Sequence, residues 1–284
     1  MDAERAQARR VAEYYDYETA ALYCRYWDNK HVHFGFFDTE DMPLAAALDR
    51  MVDVVLDGVE LPRGTTLVDC GCGVGGVAAH IVDRYSATVV GINVSGVQLR
   101  MANEAESSHA QVHTHWVLAD AASGWPLCDN SVDAVLALES PCHFANRSRF
   151  VSEATRVLRP GGQLIISDWM RTQQMGVLDE KKISAAWNLA GLESLQSYEA
   201  LLRQQGLEIN RADDLGAAVL PNARIMAELT LTLALEPGPD AQERNDRTRW
   251  RTQFSALASA WLARRFTIGV IHGRKPERMG SPVR

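Results

Sequence analysis

Between residues 65 and 169 the sequence alternates short apolar segments with helical segments of about ten residues. Parallel neighbouring strands need a crossover of that length, so the alternation predicts an α/β protein whose parallel sheet is covered by helices. Two further apolar segments towards the C-terminus bring the predicted strands to seven. The predicted strands cover residues 65–70, 87–92, 115–119, 132–138, 163–169, 207–213 and 265–273.

Composition narrows the class of protein. Apolar residues make up 46% of the 284 residues and charged residues 23%, which is typical of a globular protein with an ordinary core. The net charge of -7 disfavours nucleic acid and anionic membranes as partners, because both attract a basic surface. The sequence has no run of about 18 apolar residues that would predict a transmembrane helix. The polar start of the chain and five cysteines without a regular framework predict a cytoplasmic protein with reduced thiols and no metal site.

Patterning and connection lengths divide the chain into four predicted parts. Helical patterns over 3–17, 19–27 and 43–56 predict that residues 1–60 form an N-terminal helical lid over a core domain at 61–169. Residues 170–195 are too long for a plain connection and predict a lid over a substrate. Residues 196–284 then complete the core and carry a helical insertion over 217–264.

The most specific chemical signal follows the first predicted strand. It is the sequence Val68-Asp69-Cys70-Gly71-Cys72-Gly73-Val74-Gly75-Gly76, whose glycines let the backbone pass close to a ligand where a Cβ atom would clash. Asp69 ends the strand, where a carboxylate can meet a cationic amino group directly or through water. The second strand ends in Asn93, not in the acid that an NAD site places on the ribose. Asp120 follows the third strand and can accept a hydrogen bond from an adenine amino group.

In these segments the chain resembles the class I S-adenosylmethionine-dependent methyltransferases. The resemblance runs from about residue 14 to residue 206 and returns in the last predicted strand. The matching segments are 69–76, 91–95 with Gln98, 119–121, 133–138 and 158–162. The resemblance implies a Rossmann-like α/β fold with a seven-stranded, mostly parallel sheet, helices on both faces and a helical lid.

The segments around Tyr14-Tyr15-Asp16 and His33-Phe34-Gly35 resemble the small-molecule branch of these enzymes, and Glu139-Ser140 with His143 resembles its antibiotic O-methyltransferases most closely. This implies S-adenosyl-L-methionine as the cofactor and a role in natural-product biosynthesis. The aromatic residues of the N-terminal helices could cover the cofactor's sulfonium, because aromatic faces attract cations. The residues predicted to bind the cofactor are Asp69, Gly71, Gly73, Asn93, Gln98, Asp120, Ala121, Leu138, Tyr14, Tyr23 and Trp27.

Three residues after the fourth and fifth strands are candidates for catalysis. A hydroxyl acceptor must lose a proton, and we predict His143 as the base because a neutral imidazole titrates near the working pH. Asp168 could orient His143 or meet the substrate hydroxyl. Glu139 could fix the cofactor or the substrate, or neutralise a cationic acceptor.

The favoured function is therefore O-methylation of a hydrophobic small molecule, whose apolar lid would exclude water. C-methylation of an isoprenoid or aromatic carbon, with or without a later cyclisation, is the close alternative, and N-methylation comes third. The apolar stripes could instead bury against a second subunit in a homo-oligomer. An NAD-dependent oxidoreductase, a nucleic-acid methyltransferase and a non-catalytic binding module are disfavoured alternatives.

Overall fold

The computed structural model describes residues 2–106, 113–236 and 238–277. Seven strands form one sheet in the order β3-β2-β1-β4-β5-β7-β6, in which β7 is antiparallel to both neighbours and the other neighbouring pairs are parallel. The strands are Thr66–Cys70 (β1), Thr88–Asn93 (β2), Thr114–Leu118 (β3), Val132–Leu138 (β4), Leu158–Arg171 (β5), Glu208–Asp214 (β6) and Phe266–Arg274 (β7). The predicted α/β class and mostly parallel seven-stranded sheet are confirmed.

Helices cover both faces of this sheet. Leu67 and Val68, consecutive in β1, belong to separate core clusters, since alternate residues of a strand point to opposite faces. The helices are Asp2–Glu18 (α1), Cys24–Tyr26 (α2), Leu44–Val55 (α3), Gly76–Tyr85 (α4), Gly96–Glu106 (α5), Arg147–Val157 (α6), Val177–Ala186 (α7), Leu195–Gln204 (α8), Gly216–Val219 (α9), Pro221–Leu235 (α10) and Ala241–Leu262 (α11).

The N-terminal segment differs from the two separate helices predicted over 3–17 and 19–27. Helix α1 runs without a break into a π-helical turn, Thr19–Tyr23, and then into α2. The Thr19 hydroxyl donates to the Tyr15 carbonyl at 2.6 Å, a side-chain bond of the kind that competes with the regular helical ladder. The wider turn keeps the chain helical and buries Leu22 and Tyr23.

Hydrogen bonds hold helix α1 against α5 on one side and against α11 on the other. Towards α5, the Asp16 carboxylate accepts hydrogen bonds from the Ser95 hydroxyl at 2.6 Å and the Val97 amide at 3.2 Å. Towards α11, the Glu18 carboxylate is 2% exposed; it accepts from the Trp250 indole at 2.7 Å and pairs with Arg249. Burial raises the pKa of Glu18, and the Arg249 guanidinium opposes that rise.

Helix α10 qualifies the prediction about membrane spans. Within the described residues one segment, Gly216–Leu235, is long and apolar enough to cross a bilayer by length and composition, with a mean hydropathy of 1.2. The segment packs lengthwise on α11 and buries Val219, Ala223, Met226 and Leu233 in the core. Only 28% of the apolar window is buried, and one segment of this length and composition is weak evidence for a membrane span.

The glycine-rich turn packs more tightly than side chains allow. A Cβ atom on Gly76, at the start of α4, would lie 2.1 Å from the Lys30 carbonyl oxygen, which belongs to the backbone of the loop before α3. We expect Gly76→Ala to push this loop away and to lower the free energy of unfolding by about 1–3 kcal/mol in urea titrations. The matched control is Gly124→Ala, whose new methyl group would meet no atom closer than 4.0 Å. We expect the control to change stability by less than about 0.5 kcal/mol, and equal effects of the two would contradict the packing argument.

Candidate active site

Two adjoining cavities open at the carboxyl ends of the parallel strands, which is where an open α/β sheet binds its ligands. The first, the glycine-turn cavity, contains about 770 Å³ of space including its mouth. It is bounded by the ends of β1, β2 and β4, by α1 and by the loop before α3. Its lining residues are Val11, Tyr15, Lys30, His31, Val32, His33, Asp69, Gly71, Cys72, Gly73, Val74, Val77, Ile92, Asn93, Val94, Gln98, Ala119, Ala121, Leu138, Glu139, Ser140, His143 and Phe144.

The second, the aromatic cavity, contains about 510 Å³ including its mouth. Its walls come from the π-helical turn and α2, from β5, and from the segments around α7, α10 and α11. Its lining residues are Tyr15, Leu22, Tyr23, Tyr26, Trp27, Val32, Phe34, Glu139, His143, Trp169, Trp187, Met226 and Phe254. Four residues line both cavities and form the boundary between them: Tyr15, Val32, Glu139 and His143.

The glycine-turn cavity is built by the close meeting of strand ends. Gly71 has a φ of 81°, a left-handed conformation that favours glycine, and a Cβ atom there would lie 2.3 Å from the Ser140 Cβ. The Ser140 hydroxyl in turn donates to the Cys70 carbonyl at 2.5 Å. The turn therefore presents bare backbone to the cavity at the end of β1.

Asp69 lines the floor of this cavity, and one of its buried carboxyl oxygens lacks a hydrogen-bond partner among the described residues. The side chain is 2% exposed, and its Oδ2 atom has no hydrogen-bond partner within the part of the chain that the structure describes. Burial raises the pKa of the Asp69 carboxyl to about 7. A ligand that brings a cationic amino group would compensate this buried carboxylate.

Asn93 and Gln98 form a connected polar network at the end of β2. The Asn93 amide nitrogen donates to the Gln98 Oε1 atom at 2.8 Å and to the Gly73 carbonyl at 3.3 Å. Gln98 in turn donates to the Thr19 hydroxyl at 2.9 Å. Both side chains line the cavity, but their hydrogen bonds hold the glycine turn and the N-terminal segment in place.

These features fit S-adenosylmethionine. Its amino group would lie near the Asp69 carboxylate. One side of the molecule would pack against the backbone of Gly71 and Gly73. Ala121 and Leu138 also line the glycine-turn cavity. Of the predicted binding residues, Asp69, Gly71, Gly73, Asn93, Gln98, Ala121 and Leu138 therefore come together.

The other four residues predicted to bind the cofactor lie elsewhere. Tyr23 and Trp27 line the aromatic cavity instead. Tyr14 lines neither cavity and lies with its hydroxyl 3.5 Å from that of Tyr23. Asp120 is outside the lining, and its Oδ1 atom accepts from the Ala122 amide at 2.9 Å, which shapes the turn after β3.

His143 occupies the boundary between the cavities in a defined tautomer. Its Nδ1 atom lies 3.3 Å from the Asn188 carbonyl, which can only accept, so Nδ1 carries the hydrogen. The Nε2 lone pair then accepts from the Tyr15 hydroxyl at 2.9 Å. Burial lowers the pKa of His143 to about 4, and burial raises that of Tyr15 well above its usual value. At neutral pH the pair is a neutral imidazole that holds a neutral phenol.

Asp168 does not contact His143, contrary to the predicted orienting role. It is fully buried, accepting from the Tyr198 hydroxyl at 2.5 Å and from the Cys142 amide at 3.1 Å. Burial raises its pKa to about 6, while Arg147 and Tyr198 oppose that rise. Arg147 also donates to the Cys142 carbonyl at 3.1 Å. Asp168 thus anchors the residue before His143 and positions the turn that carries the imidazole.

Glu139 follows β4 with a φ of 50°, which is strained for a residue with a Cβ atom. Its carboxylate accepts from the Phe34 amide at 2.9 Å and from the Trp169 indole at 2.7 Å. Burial raises the pKa of Glu139 to about 8, although both donors oppose that rise. The strained turn and the two donors aim an acidic group at the boundary of the cavities.

Sequence reasoning missed Tyr15 as a site residue and selected its neighbour Tyr14. The signal was present in the helical period, because Gln7, Val11 and Tyr15 lie four residues apart on one face of α1. Gln7 and Val11 are buried, and Val11 lines the glycine-turn cavity. Lys30, His31 and His33 also line the glycine-turn cavity. The sequence favoured a structural role for the two histidines, and their extended loop has no period that would orient them.

Comparisons with known proteins bear on the fold and the family of this chain. Residues 68–166 match the protein family described as "Methyltransferase domain". "Methyltransferase GfsG" of Streptomyces halstedii is 34% identical over 76% of this chain and 81% of its own length. "27-O-demethylrifamycin SV methyltransferase" of Amycolatopsis mediterranei (strain S699) is 32% identical over 70% of this chain and 74% of its own length. Among solved structures, "[4+2]-Cyclase SpnF" superposes with a TM-score of 0.82 at 24% identity, over 95% of this chain and 97% of that one.

The buried Asp69 carboxylate gives cofactor affinity a pH dependence. S-adenosylhomocysteine should bind less tightly as the pH falls through about 7, because protonation of Asp69 removes the charge that attracts the amino group. Asp69→Asn should weaken binding above that pH by about 2 kcal/mol or more and abolish the pH dependence. Isothermal titration at several pH values measures both effects. Asp83→Asn, an exposed change on α4, is the matched control, and an Asp69→Asn variant that titrates like it would contradict this role.

Proposed function

This chain belongs to the class I S-adenosylmethionine-dependent methyltransferases of small molecules, and on that basis we propose that it methylates a hydroxyl group of a hydrophobic natural product. The observation that carries the proposal is the Tyr15–His143 hydrogen bond at the boundary of the two cavities. The cofactor supplies an activated methyl group from the glycine-turn cavity. The acceptor lies in the aromatic cavity, and the boundary residues handle its proton.

The proton is transferred through the Tyr15 oxygen to Nε2 of His143. The acceptor hydroxyl gives its proton to the Tyr15 oxygen as Tyr15 passes its own proton to Nε2 of His143. The Asn188 carbonyl holds the opposite nitrogen and stabilises the imidazolium that forms. The weak basicity of His143 is sufficient, because a hydroxyl becomes strongly acidic as its oxygen bonds to the methyl carbon.

The walls of the aromatic cavity support a hydrophobic acceptor. Several of their aromatic rings pack edge to face, including Phe34 on Trp27 at 5.7 Å and Trp169 on Trp187 at 5.6 Å between centroids. A largely apolar cavity of this kind orders an apolar molecule and excludes competing water. All five cysteines are free thiols, which supports the cytoplasm as the site of action.

Removing the base should slow methyl transfer without weakening cofactor binding. We expect His143→Gln to lower kcat by roughly 10²–10⁴-fold and Tyr15→Phe to lower it in the same direction. The wild-type kcat should be flat near neutral pH and fall only as the pH approaches about 4, where His143 becomes protonated. Initial rates on an acceptor found by screening measure these effects.

Tyr14→Phe is the matched control, since it removes a neighbouring hydroxyl that lines neither cavity. Its kcat should stay close to that of the wild type. If His143→Gln and Tyr14→Phe turn over at similar rates, the base assignment fails.

One observation favours a second candidate, C-methylation of an alkene or aromatic carbon. Methylation of such a carbon leaves a cation, which the aromatic faces and the Glu139 carboxylate could stabilise. Proton loss would then follow transfer, so His143 would matter much less.

The two candidates differ in their response to Glu139→Gln when rates are measured above about pH 8, where Glu139 is ionised and the substitution keeps the shape of the side chain but removes its charge. Under O-methylation we expect Glu139→Gln to retain more activity than His143→Gln, and under C-methylation the order reverses. Product NMR with a ¹³C-methyl donor settles the atom directly, because methoxy and C-methyl carbons resonate far apart.

A further inference from the structure

Among the described residues, the wall of the aromatic cavity contains a buried indole whose N–H has no hydrogen-bond partner. Trp187 lies just beyond α7 and is 4% exposed. Its indole Nε1 has no hydrogen-bond partner in the described ranges 2–106, 113–236 and 238–277. The ring nonetheless lines the aromatic cavity, packed on Trp169 and on Phe254.

Four other indoles of this chain have acceptors, whereas those of Trp187 and Trp261 have none among the described residues. Trp27 donates to the His33 carbonyl, Trp125 to the Ala121 carbonyl and Trp250 to Glu18. Trp169, which also lines the aromatic cavity, donates to Glu139. Of the three described indoles that line this cavity, those of Trp27 and Trp169 are therefore satisfied by the fold and that of Trp187 is open.

A buried N–H without a partner costs about 1–3 kcal/mol, and a ligand oxygen placed against it recovers that loss. The rest of this wall is aromatic or aliphatic apart from the Tyr hydroxyls and the boundary residues Glu139 and His143. An unpartnered donor in a largely apolar wall fixes the orientation of a ligand and selects for an oxygen in it.

We propose that Trp187 is a specificity-determining residue that donates a hydrogen bond to an oxygen of the acceptor. This inference rests on the proposed function and deepens it, since it defines the acceptor as a hydrophobic molecule with a second, hydrogen-bond-accepting oxygen such as a ketone. The oxygen is not the one that is methylated. A donor on the nucleophile would hold its lone pair and weaken it just as it attacks, which works against catalysis.

Gln253 is a group that could compete for the indole. Its Nε2 atom is bound to the carbonyl of Ala186, the residue before Trp187, and its Oε1 atom is unpartnered within the described residues. If this oxygen were the true partner of Trp187 in solution, removing it would disturb the free indole.

The test uses the full-length protein saturated with S-adenosylhomocysteine and labelled with ¹⁵N at the indole nitrogens. The probes are acetophenone and α-methylstyrene, which have nearly the same shape and differ by exchange of the carbonyl oxygen for a methylene group. The Trp187→Phe and Trp261→Phe variants assign the two resonances. Trp261 is the matched control, because its indole is also buried and unpartnered in the described structure but lines neither cavity.

Acetophenone should move the Trp187 resonance downfield and bind roughly fivefold more tightly than α-methylstyrene. The Trp261 resonance should respond to neither probe. The preference for acetophenone should vanish in Trp187→Phe and persist in Trp261→Phe.

Equal affinities, a preference that persists in Trp187→Phe, or no binding of either probe would overturn the proposal. So would a shift of the Trp187 resonance in ligand-free Gln253→Leu. Because binding is measured without turnover, a C-methylated product would overturn the proposed O-methylation and leave the Trp187 result standing.

Discussion

The site depends on the close packing of the turn after β1 against the ends of β2 and β4. Ser140 fills the space where Gly71 would carry a Cβ atom, and the Gly71 amide donates to the Ile92 carbonyl at 2.7 Å. One turn therefore locks together the ends of β1, β2 and β4. Asp69, Asn93 and Glu139 lie at those three ends. The packing around Gly71 therefore sets the distances between the two carboxyl groups and the Asn93 amide.

The core of the fold was predictable because its signals are local. Alternating apolar segments located every strand, and the glycine-rich turn located the cavity that lies against it. The same reasoning brought Asp69, Asn93 and Leu138 together, since residues at the carboxyl ends of neighbouring parallel strands meet at one edge of the sheet. Errors arose where a side chain's direction depends on distant packing. Tyr14 and Tyr15 are equivalent in composition, and only the seating of α1 on the core decides which one reaches the cavity.

Asp168 shows a different limit of sequence reasoning. Its place at the end of the predicted fifth strand suggested the binding edge. In the structure it lies within β5, lines neither cavity and has as partners Tyr198 from α8 and the Cys142 backbone. Neither partner can be inferred from local spacing, because both depend on how α8 and the turn after β4 pack together. From its position in the sequence alone, a carboxylate that supports a loop cannot be distinguished from one that contacts a substrate.

The hydrogen bonds that hold α1 on two sides have a consequence for how ligands could enter and leave the cavities. Val11 and Tyr15 close one cavity, while Tyr15, Leu22 and Tyr23 close the other, and Asp16 and Glu18 pin the same helix on opposite sides. One continuous helical segment therefore lines both cavities. If this segment had to move for a ligand to enter, both cavities would open together, and the exchange of donor and acceptor would be kinetically coupled.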